Sequence, residues 1–280
     1  MTRDDIITEL SKHGCKASPY EVTKNSVKLN AIRIDNGSRF NPVVYTDSII
    51  ADAEKTHASV TAAADRILSV CRDAKVPDFD INLMHDRDFV SEHLYLALQK
   101  SSSEELVRAE CGITGYEAYV HLRHSTSFGT NFSIKLSRKM LEDIGMDASE
   151  AADIALAHTL AETELISISD MIGTPCRPAE TNPRRNSSAA DAMYTLTNKC
   201  RFKGASALLD KSALMRYGEL YHTESLLVIP SSIHEVLLLP YSDDTDIPKI
   251  ERMIQNTNAA IVDPCDRLSD KPIIIDLWDF

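Results

Sequence analysis

Residues 225–240 have the sequence S-L-L-V-I-P-S-S-I-H-E-V-L-L-L-P, and this segment decides the fold class. Two apolar runs, 225–230 and 234–240, have the length of buried strands and are separated by a few mainly polar residues. A connection this short joins antiparallel strands, since parallel neighbours need a crossover of about a dozen residues or more. The segment therefore predicts an antiparallel hairpin.

The rest of the last hundred residues continues this alternation of short strands and helices. Segment 205–230 alone has the spacing of a parallel βαβ crossover, and the other connections are hairpin-like. We therefore expect an α+β protein with mainly antiparallel sheets flanked by helices. The predicted order is strand, strand, helix, strand, strand, helix and strand, over 192–198, 203–209, 211–221, 225–230, 234–240, 246–258 and 272–277.

A second hairpin is predicted near the start of the chain. Asn36-Gly37 is a strong hairpin signal between a strand at 27–34 and a returning strand at 42–45. The apolar pattern of the first strand changes phase at Ile32, which indicates either a bulge or a strand covered on both faces.

Helical spacing of apolar residues predicts several helices. Thr2 and Asp5 can form a capping box for a first helix. A long helix is expected at about 48–74. Another is expected from a stripe at positions 89, 90, 93, 94 and 97.

The polar run at 101–105 interrupts these patterns, and we place a soft domain boundary there. We expect 1–105 to form an N-terminal α/β subdomain and 106–280 a C-terminal α+β domain, unless the two form one compact unit. Beyond the boundary, alternation at 116–122 and 132–136 predicts a strand pair. Two helices should follow, the second capped by Asp147 or Ser149.

The composition is that of a soluble globular protein. The 280 residues are 43% hydrophobic and carry a formal net charge of -12, which disfavours generic nucleic-acid binding. No apolar run is long enough for a transmembrane segment. The six cysteines form no CxxC pair and no signal peptide precedes the first helix, so we expect a cytoplasmic protein with reduced thiols.

Ser232, His234 and Glu235 are the candidate catalytic residues, because they offer a nucleophile, a base and an acid. Along a strand, His234 and Glu235 would point to opposite faces, and Ser232 would stand about 7 Å from His234. The alternative interpretation is structural. In it, the hydroxyls of Ser231 and Ser232 satisfy loop amides and His234 bonds a neighbouring main chain.

No other motif supports a cofactor. His121 and His124 would lie on opposite faces of a strand, with His158 downstream, so a shared metal is not expected. Asp243, Asp244 and Asp246 favour a helix N-terminus over a calcium loop, and no phosphate-binding glycine motif occurs. We therefore predict no metal and no cofactor.

The segment from 172 to 191 is a candidate contact loop. It contains three prolines and the arginines Arg177, Arg184 and Arg185, with almost no apolar periodicity. A loop of about 20 residues is often either functional or disordered. The three arginines are the candidate partner-binding residues, and nucleic acid is the weaker alternative partner.

Three segments of the last third carry a resemblance to a known family. They are M-Y-T-L-T-N-K at 193–199, Gly204-Ala205 with Leu208-Leu209, and I-P-S-S-I-H-E-V at 229–236. Together they resemble a bacterial family of unknown function that occurs in gut bacteria and their mobile elements. The resemblance extends backwards through 42–45 and 140–159 and forwards to 256–257 and 268–270, so it covers most of the chain. After the strand at 42–45, where that family would have a longer, acidic, tyrosine-rich segment, this chain has Thr46-Asp47-Ser48. The resemblance implies no established activity.

Because no complete catalytic constellation passes the geometric tests, the leading hypothesis is a non-enzymatic, cytoplasmic protein-binding protein. By analogy with the resembled family, a narrower version is a phage- or mobile-element-encoded inhibitor or adaptor that acts on a host defence complex. The alternative is a Ser/His-dependent hydrolase or transferase that uses residues 231–235. Homo-oligomer formation stays open.

Overall fold

The computed structural model describes residues 1–25, 27–37, 41–73, 79–125, 131–171 and 192–278. Its contacts divide the chain into two compact units, Met1–Asp78 and Phe79–Phe280. The boundary expected at 105 lies within the second unit, and the separability of the chain at that point stays a prediction.

The first unit is a three-stranded antiparallel sheet with helices on one face. The order β1-β2-β3 includes the predicted hairpin, since β2 pairs with β3 around Asn36-Gly37. The expected long helix is two helices, because His57 adopts a left-handed conformation with φ 52°. The elements are α1 (Arg3–Lys12), β1 (Lys16–Lys24), β2 (Val27–Asp35), β3 (Val43–Tyr45), α2 (Asp47–Thr56) and α3 (Val60–Asp73).

The core of the first unit lies between the helices and one face of the sheet. The predicted capping box of α1 is present, since Thr2 Oγ1 accepts from the Asp5 amide at 3.2 Å and Asp5 accepts from the Thr2 amide. Ile6 of α1 packs with Ile32 of β2 in this core. Ala31 and Ile32 are both fully buried, so β2 is covered on both faces where its apolar pattern changes phase.

The second unit begins with a four-stranded sheet in which β6 is central. Strand β4 pairs along one side of β6, and β5 and β7 pair along the other, all antiparallel. The elements are a 3₁₀ helix (Ile81–His85), α4 (Arg87–Glu92), β4 (Leu94–Lys100), β5 (Arg108–Ala109), β6 (Tyr116–Ser125), β7 (Asn131–Lys135), α5 (Arg138–Glu142) and α6 (Ala148–Ala161). The predicted pair at 116–122 and 132–136 is confirmed, and Asp147 caps α6.

The helix expected from the stripe at 89–97 ends early. Helix α4 stops at Glu92, and Leu94 begins strand β4. This strand is buried on both faces over most of its length, so it shows no alternation of apolar and polar residues. Its apolar residues match helical spacing by coincidence, which is why the prediction was wrong.

A five-stranded antiparallel sheet in the order β12-β10-β11-β9-β8 completes the second unit. Its elements are β8 (Thr163–Ser167), α7 (Ile168–Met171), β9 (Tyr194–Asn198), a 3₁₀ helix (Gly204–Leu209), α8 (Lys211–Tyr221), β10 (Ser225–Ile229), β11 (Val236–Pro240), α9 (Ile247–Ile261) and β12 (Ile273–Asp276). The predicted hairpin at 225–240 and the α+β class are confirmed. The strand expected at 203–209 is the 3₁₀ helix, so 205–230 forms no βαβ crossover.

The two sheets of the second unit share a buried apolar core. Leu98 of β4 belongs to the same buried cluster as Leu196 of β9 and Leu226 of β10, so the four-stranded sheet contacts the core of the five-stranded one. Within the described residues, no helix is long and apolar enough to span a membrane.

Candidate functional site

Ser232 stabilises the turn between β10 and β11 through two hydrogen bonds. Its Oγ accepts a hydrogen bond from the His234 backbone amide at 3.0 Å, and its own amide donates to the Glu235 carbonyl at 3.1 Å. This is the geometry that the structural interpretation of the segment predicts. The hydroxyl is engaged with the main chain and does not pair with the imidazole.

The His234 ring is also held by the fold. Its Nδ1 accepts from the backbone amide of Lys203 at 3.1 Å, so the neutral ring carries its proton on Nε2. Nε2 lies 3.7 Å from Oδ1 of Asp266, and the side chain is 31% exposed. A general base would need a free ring nitrogen next to the nucleophile. The geometry does not favour catalysis by Ser232, His234 and Glu235. Their catalytic role stays a hypothesis.

The loop from Asn198 to Gly204 is held in a strained conformation. Arg201 and Lys203 have φ angles of 50° and 54°, a left-handed region that costs a side-chain-bearing residue about 1 kcal/mol. Asn198 closes the loop, because its side chain accepts from the Phe202 amide at 3.1 Å and donates to the Phe202 carbonyl at 2.9 Å. Strain of this kind persists where surrounding contacts determine the conformation.

Position 204 has no room for a side chain, which is why it is a glycine. A Cβ at this position would lie 2.3 Å from Thr197 Oγ1 and 2.6 Å from the His234 carbonyl oxygen. That oxygen also accepts from Thr197 Oγ1 at 2.8 Å. These contacts pack three segments against one another, 193–199, 204–209 and 229–236. The side chain of Lys203, the residue before Gly204, extends from this packed region.

Lys203 reaches a buried tyrosine. Its Nζ donates to the phenol oxygen of Tyr119 at 2.6 Å and lies 5.2 Å from the ring centroid. Tyr119 is 3% exposed. Burial raises the pKa of this phenol far above its usual value, and the nearby carboxylates of Glu104 and Glu117 act in the same direction. The phenol is therefore neutral at physiological pH.

A layer of polar side chains surrounds Tyr119 on the same face of the four-stranded sheet. Glu117 accepts from Gln99 at 2.7 Å, from Ser102 at 2.6 Å and from Arg108 at 2.7 Å. Burial acts to raise the pKa of Glu117, but these hydrogen bonds outweigh it and hold the pKa below the usual value. The carboxylate is therefore charged and satisfied.

His121 is the next residue on this face. It is 1% exposed, and its Nδ1 has no hydrogen-bond partner. Burial holds its pKa well below the usual value, and the charges of Lys203 and Arg123 add to the effect, so the ring is neutral. Arg123 forms an ion pair with Glu162 at 2.7 Å.

The other candidate residues lie apart from this layer. His124 packs among Phe79, Phe89 and Phe132 on the opposite face of β6 from His121. Asp246 caps α9 through the Lys249 amide at 3.0 Å. Across the part of the chain that the structure describes, no group of three or more metal-ligating side chains occurs.

Arg177, Arg184 and Arg185, with the rest of the predicted contact loop, lie outside the described residues. Tyr119 and Lys203, which are 84 residues apart, were not among the predicted site residues. One available signal was the alternation of titratable residues along 117–123, on the face of the predicted strand opposite its apolar residues.

The family model DUF5688, described as a family of unknown function, matches residues 3–274. No curated protein and no solved structure matches the chain.

Proposed function

The chain belongs to the DUF5688 family, whose function is unknown, and we propose that it is a non-enzymatic protein-binding protein that pairs an extended segment of its partner with strand β12. The observation that carries the proposal is the open edge of this strand. Strand β12 is the last strand on one side of its sheet, and none of the described strands pairs with its outer edge.

The register identifies the main-chain groups on this edge. The Leu277 amide donates to the Glu224 carbonyl at 2.9 Å, and Leu226 lies opposite Ile275. Hydrogen-bonded and non-hydrogen-bonded pairs alternate in an antiparallel ladder, so the amides and carbonyls of Ile274 and Asp276 point away from β10. An extended peptide could bond to these groups, as in other cases of strand addition.

The side chains at this edge suggest the chemistry of the partner. Ile274 is 48% exposed and Trp278 is 73% exposed, and exposed tryptophan is enriched among residues that dominate binding energies. Glu224 and Asp276 are exposed beside them, since Glu224 lies opposite Leu277 and Asp276 is in β12 itself. Charge complementarity therefore favours an apolar segment flanked by lysine or arginine.

The geometry of the Ser/His segment supports the non-enzymatic part of the proposal. The Ser232 hydroxyl and Nδ1 of His234 are both engaged with main-chain amides. No observation favours the alternative hydrolase or transferase. A narrower version makes the chain a cytoplasmic, mobile-element-encoded inhibitor or adaptor in a bacterium. It is supported only by the resemblance noted in the sequence.

The test selects random nine-residue peptides displayed on phage against the immobilised full-length chain. We expect binders with alternating apolar residues and flanking lysine or arginine. Ile274→Lys should abolish their binding, whereas Met253→Lys, at a position of α9 with 49% exposure, should not. Methylation of alternate backbone nitrogens of the peptide should also abolish binding, because it removes main-chain donors.

Two results would overturn the proposal. One is the absence of binders, or binding that neither Ile274→Lys nor backbone methylation weakens. The other is self-association in sedimentation experiments that Ile274→Lys abolishes, because it would show that a second copy of the chain occupies the edge.

A further inference from the structure

The first unit contains a polar cavity beside an exposed tyrosine. The cavity has a volume of about 680 Å³ and lies where α1, β1 and β2 meet. The cavity is open to solvent, so a ligand would reach it directly from the surface. Its lining includes Lys16, Ser18, Arg33, Asp35 and Asn41.

The strand register places a tyrosine next to this cavity. Opposite residues of antiparallel strands share a face, so the row Ser18–Arg33 and the row Tyr20–Ala31 lie side by side on one face of the sheet. The helices pack on the other face, against Ile32 and its neighbours. Tyr20 is 41% exposed, and the guanidinium carbon of Arg33 lies over its ring at 5.9 Å from the centroid.

The same face carries a second pairing of this kind. Tyr45 lies opposite Ala31 on β3, and Nζ of Lys24 is 4.8 Å from the centroid of its ring. Because neighbouring strands are about 4.8 Å apart, Tyr20 and Tyr45 are separated by about 10 Å. The face therefore offers two aromatic rings, each with a cation over it.

The charge around the cavity favours an anion. Lys16 and Arg33 are the two cations of its lining, and Arg3 adds a cation near the tyrosine, since its Nη1 donates to the Tyr20 carbonyl at 3.2 Å. The opposing Asp35 carboxylate accepts from the Gly37 amide at 3.0 Å, which satisfies part of its hydrogen-bonding capacity.

The net charge of the chain is unevenly distributed between the units. Residues 1–78 contain 11 basic and 11 acidic residues, which leaves 19 basic and 31 acidic residues for the second unit. All of the net charge of -12 therefore belongs to the second unit. The first unit is formally neutral, so its own net charge does not repel an anion.

We propose that this face of the first unit binds a nucleotide, either free or as a unit of single-stranded nucleic acid. The base stacks on Tyr20, and the phosphate is bound by Arg33 and Lys16 in the cavity. In a strand, Tyr45 and Lys24 accept a further base and phosphate. Stacking on aromatic rings next to a cationic groove is the general chemistry of such binding.

The test uses the full-length chain and two probes, adenosine monophosphate and a fluorescein-labelled 12-nucleotide single-stranded DNA. Binding is measured by calorimetry and by fluorescence anisotropy at 50 and 200 mM salt. We expect saturable binding of at least one probe, and the comparison of the two distinguishes a free nucleotide from a strand. Tyr20→Ala should weaken Kd about 5- to 150-fold, whereas Tyr20→Phe should retain binding within about twofold.

Arg33→Ala should weaken binding and reduce its salt dependence. The matched control is Arg66→Ala, an exposed cation of the same unit that pairs with Asp52 on the helical side. Circular dichroism verifies the fold of each variant. The proposal is overturned if neither probe binds with a Kd below about 1 mM, or if Tyr20→Ala and Arg33→Ala bind as tightly as Arg66→Ala.

Discussion

The backbone amide of Lys203 donates to Nδ1 of His234 at 3.1 Å, and this bond joins two segments of the chain 31 residues apart. It makes His234 a structural support for the strained loop that carries Lys203.

His234→Ala should destabilise the second unit by about 1–3 kcal/mol, because it leaves a partly buried amide without an acceptor. His234→Asn places a side-chain oxygen near the position of Nδ1 and should recover at least half of this loss. The free energy of unfolding in urea measures both. Removal of the exposed His85 is the control for loss of a histidine. Equal losses for the alanine and asparagine variants would contradict the role of the bond.

Gly204→Ala should be among the more damaging glycine substitutions. The new Cβ would lie 2.3 Å from Thr197 Oγ1 and 2.7 Å from the Asn198 amide nitrogen, and a backbone atom cannot move aside cheaply. We expect a loss of about 1–3 kcal/mol or more from overpacking. Gly115→Ala is the control, because its left-handed φ of 84° adds strain without a steric contact within 4 Å. A smaller loss for Gly204→Ala than for Gly115→Ala would show that the loop can relax.

Tyr119 and Lys203 should be energetically coupled. A double-mutant cycle of Tyr119→Phe and Lys203→Met isolates the bond between Nζ and the phenol oxygen. Because one partner is charged and the other is buried, we expect a coupling free energy of about 1.5–3 kcal/mol. Urea unfolding of the four proteins gives the value. Additivity within about 0.5 kcal/mol would mean that the 2.6 Å contact contributes nothing.

Glu117 should make stability depend on pH in the acidic range. Its hydrogen bonds hold the folded-state pKa below the usual value of 4.5, so the folded chain keeps this carboxylate charged at a pH where the unfolded chain begins to protonate it. The contribution is therefore present above about pH 4.5 and is lost as the pH falls through the folded-state pKa.

Unfolding measured between pH 3 and pH 6 tests this prediction. The stability difference between wild type and Glu117→Gln should be largest above about pH 4.5 and should shrink below it. A difference that stays constant over this range would show that the folded-state pKa of Glu117 is not lowered.

The success of the sequence predictions depended on burial. Strand pairs with one apolar face, such as β6 and β7, were predicted because their period of two is visible in the sequence. Strand β4 and the 3₁₀ helix Gly204–Leu209 are buried on nearly every side. No periodicity separates strand from helix in such segments, and both were assigned wrongly.

The candidate site was predicted only in part. The Ser/His segment attracted attention because its residues are adjacent in sequence, and the spacing argument already indicated that Ser232 and His234 would not form a nucleophile–base pair. The contact between Lys203 and Tyr119 depends on the left-handed backbone of a loop and on the packing of two sheets. Neither leaves a local pattern in the sequence.

Trp278 is the chain's single tryptophan, and 73% of it is exposed just beyond the open edge of β12. The folded protein should therefore emit at the long wavelength of a hydrated indole, and unfolding should shift its emission spectrum little. A peptide that docks beside Ile274 would bring the indole into apolar surroundings and shift the emission to the blue. The property that makes this indole a poor reporter of folding makes it a built-in optical sensor of strand addition.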